Sequence, residues 1–257
     1  MSVKGRGGAW SSTAVVSGVM AALVFAATMV QVRTPITRGY VNLGDSMIFI
    51  ASLIGGPWVG FLAGSVGSAL ADIVSGYGYY APGTFIIKGL EGFIAGYLYS
   101  LLARKASGRS WKAIVAGVAL AVFAAVVGFG WVYTGKYGGS TAFSIAGRTV
   151  TFTVPGWAWA VIGAVLAGVI LYAGLSRDPR LGAAIIAWFI AGLWMVTGYF
   201  IYEATVVYSL GKLEGNNPLA AAAEIPANII QAVAGVVLAA FIAGAISRGT
   251  EPTDGQA

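Results

Sequence analysis

The chain has 257 residues, 58% of them apolar and only 9% charged, with a formal net charge of +6. A water-soluble domain carries about 25% charged residues, so lipid has to cover part of this surface. Cys and His are both absent, which excludes disulfide frameworks, thiolate nucleophiles, the usual zinc sites and His-based acid–base catalysis. The basic residues stand in short clusters between apolar runs, a pattern of membrane topology rather than of a nucleic-acid surface.

The first apolar run, about Ser12–Val32, follows Lys4 and Arg6. It is longer than a signal-peptide core of roughly 7–15 residues and is read as a retained first helix. A polar loop, Arg33 to Gly44, comes next. Asp45–Ile54 is apolar but short for a span of about 20 residues. It is broken by Gly55-Gly56-Pro57 before Trp58–Ser75 continues. Gly76–Ala81 is a turn rich in Gly and Tyr. Pro82 suits the first turn of the next helix, which runs to about Arg104. Trp111–Tyr133, Trp157–Leu175, Leu181–Tyr202 and Leu219–Ile246 are further spans. In the loop 135–155, Thr149–Val154 alternates like a strand, and Ala146-Gly147 suits a hairpin turn. The tail, residues 248–257, reads as disordered. The expected fold class is all-α, a polytopic membrane helix bundle of about eight segments forming one membrane domain over residues 1–257.

Alternation from a cytoplasmic N-terminus puts nine basic residues inside, namely Lys4, Arg6, Arg104, Lys105, Arg109, Lys112, Arg177, Arg180 and Arg248. Five lie outside: Arg33, Arg38, Lys136, Arg148 and Lys212. The bias places both termini in the cytoplasm of a multi-pass cell-membrane protein.

Charges inside apolar segments are costly and face a bundle interior or a cavity. Asp72, Lys88, Glu91, Glu203 and Glu224 are such charges, with Asp45 at a segment start. On this topology all but Glu91 are assigned to the outer half. Lys88 and Glu91 share a helix face, as do Glu224, Asn228 and Gln231. Two readings stand. Lys88 pairs with Glu91 or Asp72 simply to satisfy buried charge, or the group lines a polar pocket open to the outside. Trp194 is deep enough to stack on a flat ligand. Tyr199 and Tyr202 fit either the interfacial aromatic belt or that pocket.

Small residues recur every four positions at Ala14, Gly18, Ala22 and Ala26, and again at Gly60, Gly64 and Ser68. Such ladders let backbones approach closely. The second suits packing within the chain, and the first suits a partner helix. No phosphate-binding loop of the G-x-x-x-x-G-K-[ST] type occurs, nor an activated nucleophile–base pair, so no enzymatic activity, cofactor or metal site is expected.

Three blocks resemble a known family. They are Asn42-Leu43-Gly44-Asp45 with Gly56-Pro57-Trp58-Val59-Gly60 and Gly67–Gly76, then Pro82–Gly92, then Gly192–Phe200 with Ala223–Gln231. Together they resemble the substrate-binding S components of energy-coupling factor (ECF) vitamin transporters. The nearest subgroup is the riboflavin type, also linked to hydroxymethylpyrimidine, thiamin and pyridoxine. The resemblance covers residues 12–104 and 181–246 and implies a six-helix core. It implies tight capture of a vitamin from outside, with a membrane T component and two ABC ATPases driving release. The family's Ala-x-x-x-Ala contact for the T component matches Ala22 and Ala26. Residues 111–175 depart from the pattern as an inserted helix pair with an extracellular loop. An even number of inserted spans preserves the orientation of the later helices, but leaves undecided whether the docking face stays open.

The expected function is therefore capture of a heteroaromatic B-vitamin or precursor as an ECF S component, with no role for nucleic acid. The expected binding residues are Asp72, Lys88, Glu91, Trp194, Tyr199, Glu203, Glu224 and Asn228, and the T-component contact is Ala14, Gly18, Ala22 and Ala26. The alternatives are a non-transport membrane scaffold, whose charges only lock helices together, and a stand-alone secondary transporter.

Overall fold

In lipid every backbone polar group must find its partner within the protein, so each long apolar run closes its own hydrogen bonds as a helix. The computed structural model describes residues 7–34, 39–106, 108–145, 148–175, 179–213 and 217–249. Helix α1 is Gly7–Thr28, α2 Gly44–Val74, α3 Ala81–Leu102, α4 Gly108–Tyr137, α5 Gly156–Gly174, α6 Pro179–Tyr202 and α7 Ile225–Gly249. Five of the helical stretches are long and apolar enough to cross a membrane, and Thr13–Thr28 and Gly156–Tyr172 are shorter apolar helices. This is an all-α, multi-pass membrane bundle.

Helix α2 is not straight. Gly56 has φ 77° and ψ −169°, a backbone conformation that a side chain disfavours, and Pro57 cannot continue the preceding ladder. The chain folds back there. A Cβ placed on Gly60 stands 3.0 Å from the Cβ of Ser52, and one on Gly64 stands 3.4 Å from the Ile48 side chain. Those pairs lie about 12 and 24 Å apart along a straight helix. Residues 44–55 and 57–74 are therefore two antiparallel arms, about 18 and 27 Å long. The hairpin brings the beginning of the first arm, Asp45, beside the middle of the second. With α2 counted as two arms, the described residues form eight helical segments, as the apolar runs suggest.

The second arm crosses α3 at van der Waals distance. A Cβ on Gly60 would lie 2.5 Å from the Gly92 carbonyl oxygen, and one on Gly64 would lie 2.3 Å from that of Lys88. The Gly60 ladder thus serves packing within the chain. The α1 ladder does not. Ala14, Gly18, Ala22 and Ala26 are all exposed, and a Cβ on Gly18 meets nothing within 4 Å. Instead α1 packs through its opposite side, where Met20 and Val24 are buried and a Cβ on Gly67 would reach Ala21 and Val24.

Helices α4 and α5 form a hairpin bound by aromatic contacts. Trp159 packs on Phe129 and Tyr133 at centroid distances of 5.5 and 5.9 Å. Its indole donates to Thr134 Oγ1 at 3.1 Å, and Trp111 donates to the Gly174 carbonyl at 2.7 Å. This pair meets the rest through α5 against α6 and leaves the α1 ladder open.

The polar loop after α1 is more ordered than its composition suggests. Strands β1, Gln31–Thr34, and β2, Gly39–Asn42, pair antiparallel, with Val32 opposite Val41. In the insertion, β3, Ser140–Ile145, pairs with β4, Arg148–Thr153. The strand expected at 149–154 is thus present. Arg33 faces Ser144, which joins the two hairpins into one sheet of order β2-β1-β3-β4. The expected turn at Ala146-Gly147 and the tail 250–257 lie outside the described residues. So do the inside or outside assignments of Lys4, Arg6, Arg38 and Arg177. The last span begins later than Leu219, because Pro218–Glu224 winds as a 3₁₀ turn before α7.

Candidate functional site

Six elements bring polar side chains to one end of the bundle. They are the end of α1, hairpin β1–β2, the open end of the α2 arms, the start of α3, the end of α6, and the 3₁₀ turn with the start of α7. Between them lies a cavity of about 30 Å³, room for about two water molecules. Thr28, Tyr40, Asn42, Ser68, Asp72, Tyr80, Thr84, Lys88, Tyr199, Glu203, Glu224, Asn228 and Gln231 line it.

The ammonium of Lys88 sets the floor. It emerges from α3 fully buried and donates to Asp45 Oδ1 and to Glu91 Oε2, the latter at 3.0 Å. Asp45 also accepts from Gln231 Nε2 at 3.2 and 3.1 Å. The carbonyl end of the Gln231 amide accepts from the backbone N–H of Asn42 at 2.8 Å. One amide thereby ties α7 to the floor and to the β1–β2 hairpin. Lys88 also sits 5.6 Å from the Tyr199 ring centroid. The expected partners of Lys88 were Glu91 or Asp72. Glu91 is one of them, but Asp45, 43 residues away, takes the other place because the α2 hairpin folds it back.

Asp72 stands at the wall instead. Its Oδ1 accepts from the Tyr40 hydroxyl at 2.5 Å. Burial first, and then the Asp72 charge, raise the Tyr40 phenol well above its ordinary pKa. The helix α6 widens into a π-helical turn at Glu203–Val207, a distortion frequent at functional sites. That turn presents Glu203, whose Oε1 accepts from the Tyr80 hydroxyl at 3.2 Å. Thr84 and Tyr199 share a hydrogen bond of 3.0 Å. Buried side-chain atoms with no partner remain at Ser68 Oγ, Asp72 Oδ2 and Glu203 Oε2. Buried polar atoms rarely stay unpaired, and these three belong to cavity-lining residues.

Of the residues expected to bind, Asp72, Lys88, Tyr199, Glu203, Glu224 and Asn228 line the cavity. Glu91 stands behind Lys88 rather than at the surface. Trp194 is elsewhere: half-buried, it donates its indole N–H to the Ile87 carbonyl at 3.1 Å. Tyr40, Asn42, Tyr80 and Thr84 were not foreseen. Among the described residues no group of three or more acidic side chains has the arrangement to hold a metal ion.

The multi-pass bundle gathers the buried charges of its described residues in or behind one end-on cavity. The family model for the ECF-type riboflavin transporter S component matches residues 10–177 and 148–248, and the chain belongs to that family, a non-enzymatic component of membrane transporters. It is 48% identical to an uncharacterized protein of Pyrococcus woesei over 69 residues, 27% of this chain and 46% of that protein. The chain thus spans about half the length of that relative. It is 30% identical over 125 residues to a UPF0397 protein of Streptococcus agalactiae, covering 48% of this chain and 67% of the relative. A UPF0397 protein of Streptococcus pneumoniae is 34% identical over 100 residues, 38% of this chain and 53% of the relative.

Proposed function

We propose that this chain captures a heteroaromatic B-vitamin or precursor from outside the cell as the S component of an ECF importer. The observation that carries the proposal is the cavity itself. Residues from six separate elements, far apart in sequence, converge there with unpartnered buried oxygens. A planar nitrogen-bearing ring offers donors for Asp72 and Glu203, an edge for Asn228, and faces for the tyrosines. The cavity of about 30 Å³ is too small for such a ring, so capture requires the β1–β2 hairpin to part from the helices. Residues 12–104 and 181–246 form the capturing core, and 111–175 is the insertion. The exposed ladder of Ala14, Gly18, Ala22 and Ala26 is the docking face for a T component, which acts with two ABC ATPases.

The charges on the floor favour a second role for one part of the site. Lys88, Asp45 and Gln231 bond one another and Glu91 accepts from Lys88 through one oxygen, so this cluster fixes the first α2 arm to α3 and α7. Native mass spectrometry of the purified full chain tests the proposal by weighing any small molecule retained. Calorimetry on Asn228→Ala, with the molecule so identified, should show affinity lower by about tenfold. A chain that retains nothing, and binds no B-vitamin or precursor, leaves only the helix-locking role.

A further inference from the structure

We propose that the ligand of this cavity carries a positively charged nitrogen. The inference rests on the reading of the cavity as a capture site, and its ground is where the chain puts its acids.

All five acidic side chains among the described residues stand in or directly behind this one cavity, in a chain whose net charge is +6. Asp72, Glu203 and Glu224 line it. Among the described residues the only basic one lining it is Lys88, and its ammonium is committed to two further carboxylates, those of Asp45 and Glu91. Leaving Glu224 aside, four carboxylates stand against one ammonium among the described residues. A cationic group entering the cavity would compensate such an excess.

The acids alone do not make a site, but two of the cavity-lining ones keep a buried oxygen without a hydrogen bond. Asp72 and Glu203 are 3% and 4% exposed. In each, one carboxylate oxygen accepts from a tyrosine hydroxyl and the other has no partner at all. The rings of Tyr40, Tyr80 and Tyr199 line the same space. Aromatic faces attract cations and repel anions. An anionic ligand meets carboxylates with no uncommitted cation among the described residues to receive it. A neutral ligand leaves the charge excess as it stands. A cationic nitrogen answers both the free oxygens and the rings.

Calorimetry on the full chain in lipid nanodiscs tests the charge with matched probes. Pyridoxamine is set against pyridoxine, and the aminomethyl counterpart of hydroxymethylpyrimidine against hydroxymethylpyrimidine itself. Each pair exchanges an ammonium for a hydroxyl. Thiamin and riboflavin serve as a fixed cation and an uncharged ring. In any pair that binds, the cationic member is expected to be at least about tenfold tighter, the effect of one charge-assisted hydrogen bond. Glu203→Gln and, separately, Asp72→Asn are expected to bring that ratio toward one. If the neutral member or riboflavin binds as tightly as its cationic counterpart or more so, the charge inference fails and the capture reading stands. If no probe binds, the charge at neutral pH of a molecule retained in native mass spectrometry decides, a cation supporting the inference and a neutral or anionic molecule overturning it. If nothing binds and nothing is retained, both readings fail together.

Discussion

The crossing of α2 and α3 makes a sharp prediction, because one substitution at two glycines should have opposite effects. In Gly64→Ala the new methyl group would lie 2.3 Å from the Lys88 carbonyl oxygen. An ordinary contact of about 3.5 Å between heavy atoms requires α3 to retreat by about 1 Å. Lys88 and Glu91 move together, since both ride on α3, but Asp45 belongs to the first arm of α2 and stays behind. Overpacking of this kind costs about 1–3 kcal/mol, and loosening the buried Lys88–Asp45 pair adds to it. In Gly18→Ala the methyl group meets nothing within 4 Å, and alanine is favoured over glycine within a helix by about 1 kcal/mol. Unfolding in mixed micelles of rising SDS content, followed by tryptophan fluorescence, measures both. Gly64→Ala should unfold earlier than the parent chain, and Gly18→Ala at the same point or later. Equal stability for Gly64→Ala and the parent would falsify the close crossing and the route by which it positions Lys88.

Three further outcomes are expected. Ala22→Trp and Ala26→Trp should prevent co-purification with a T component while ligand affinity stays unchanged. Normal complex yield would place the docking face elsewhere. Tyr40→Phe removes the hydroxyl that Asp72 accepts and should destabilise the chain by about 1.5–3 kcal/mol. Because the folded state holds the Tyr40 phenol above its ordinary pKa, its contribution is complete below about pH 10 and is lost as pH rises beyond that value. The stability gap between parent and variant should therefore narrow in alkali, and a constant gap would contradict the burial of the phenol. Finally, the chain has no Cys, so Lys105→Cys and Thr149→Cys report topology cleanly. Both positions are exposed. An impermeant maleimide should reach Thr149→Cys from outside the cell and Lys105→Cys only after lysis, and the reverse would invert the orientation.

What the sequence discloses here depends on the range over which each signal acts. Lys88, Asp72, Glu203 and Glu224 are legible because charge within an apolar run is conspicuous wherever it occurs. The reversal at Gly56 is half legible, since Gly-Gly-Pro marks a break without giving its angle. Only the angle shows that Asp45 meets Lys88, a pairing between elements that no local pattern encodes. Strands β1 and β2 are four residues each, and β1 also pairs with β3, more than a hundred residues on. Their composition reads as a polar loop, and so Tyr40 and Asn42 escape notice. Trp194 misleads for the opposite reason. It is half-buried in α6, but its indole donates to the Ile87 carbonyl on α3 and the residue does not line the cavity.

The shared sheet has a kinetic consequence. Hairpin β1–β2 covers the cavity with Tyr40 and Asn42, and through Arg33 and Ser144 it is also laced to the hairpin of the insertion. Any outward swing of the cover must either break that lacing or drag β3–β4 and the α4–α5 pair along. The insertion thus loads the hairpin with mass and extra hydrogen bonds. If the cavity captures a ligand as proposed, the same contacts slow its entry and its escape, and the insertion lengthens its residence without touching it.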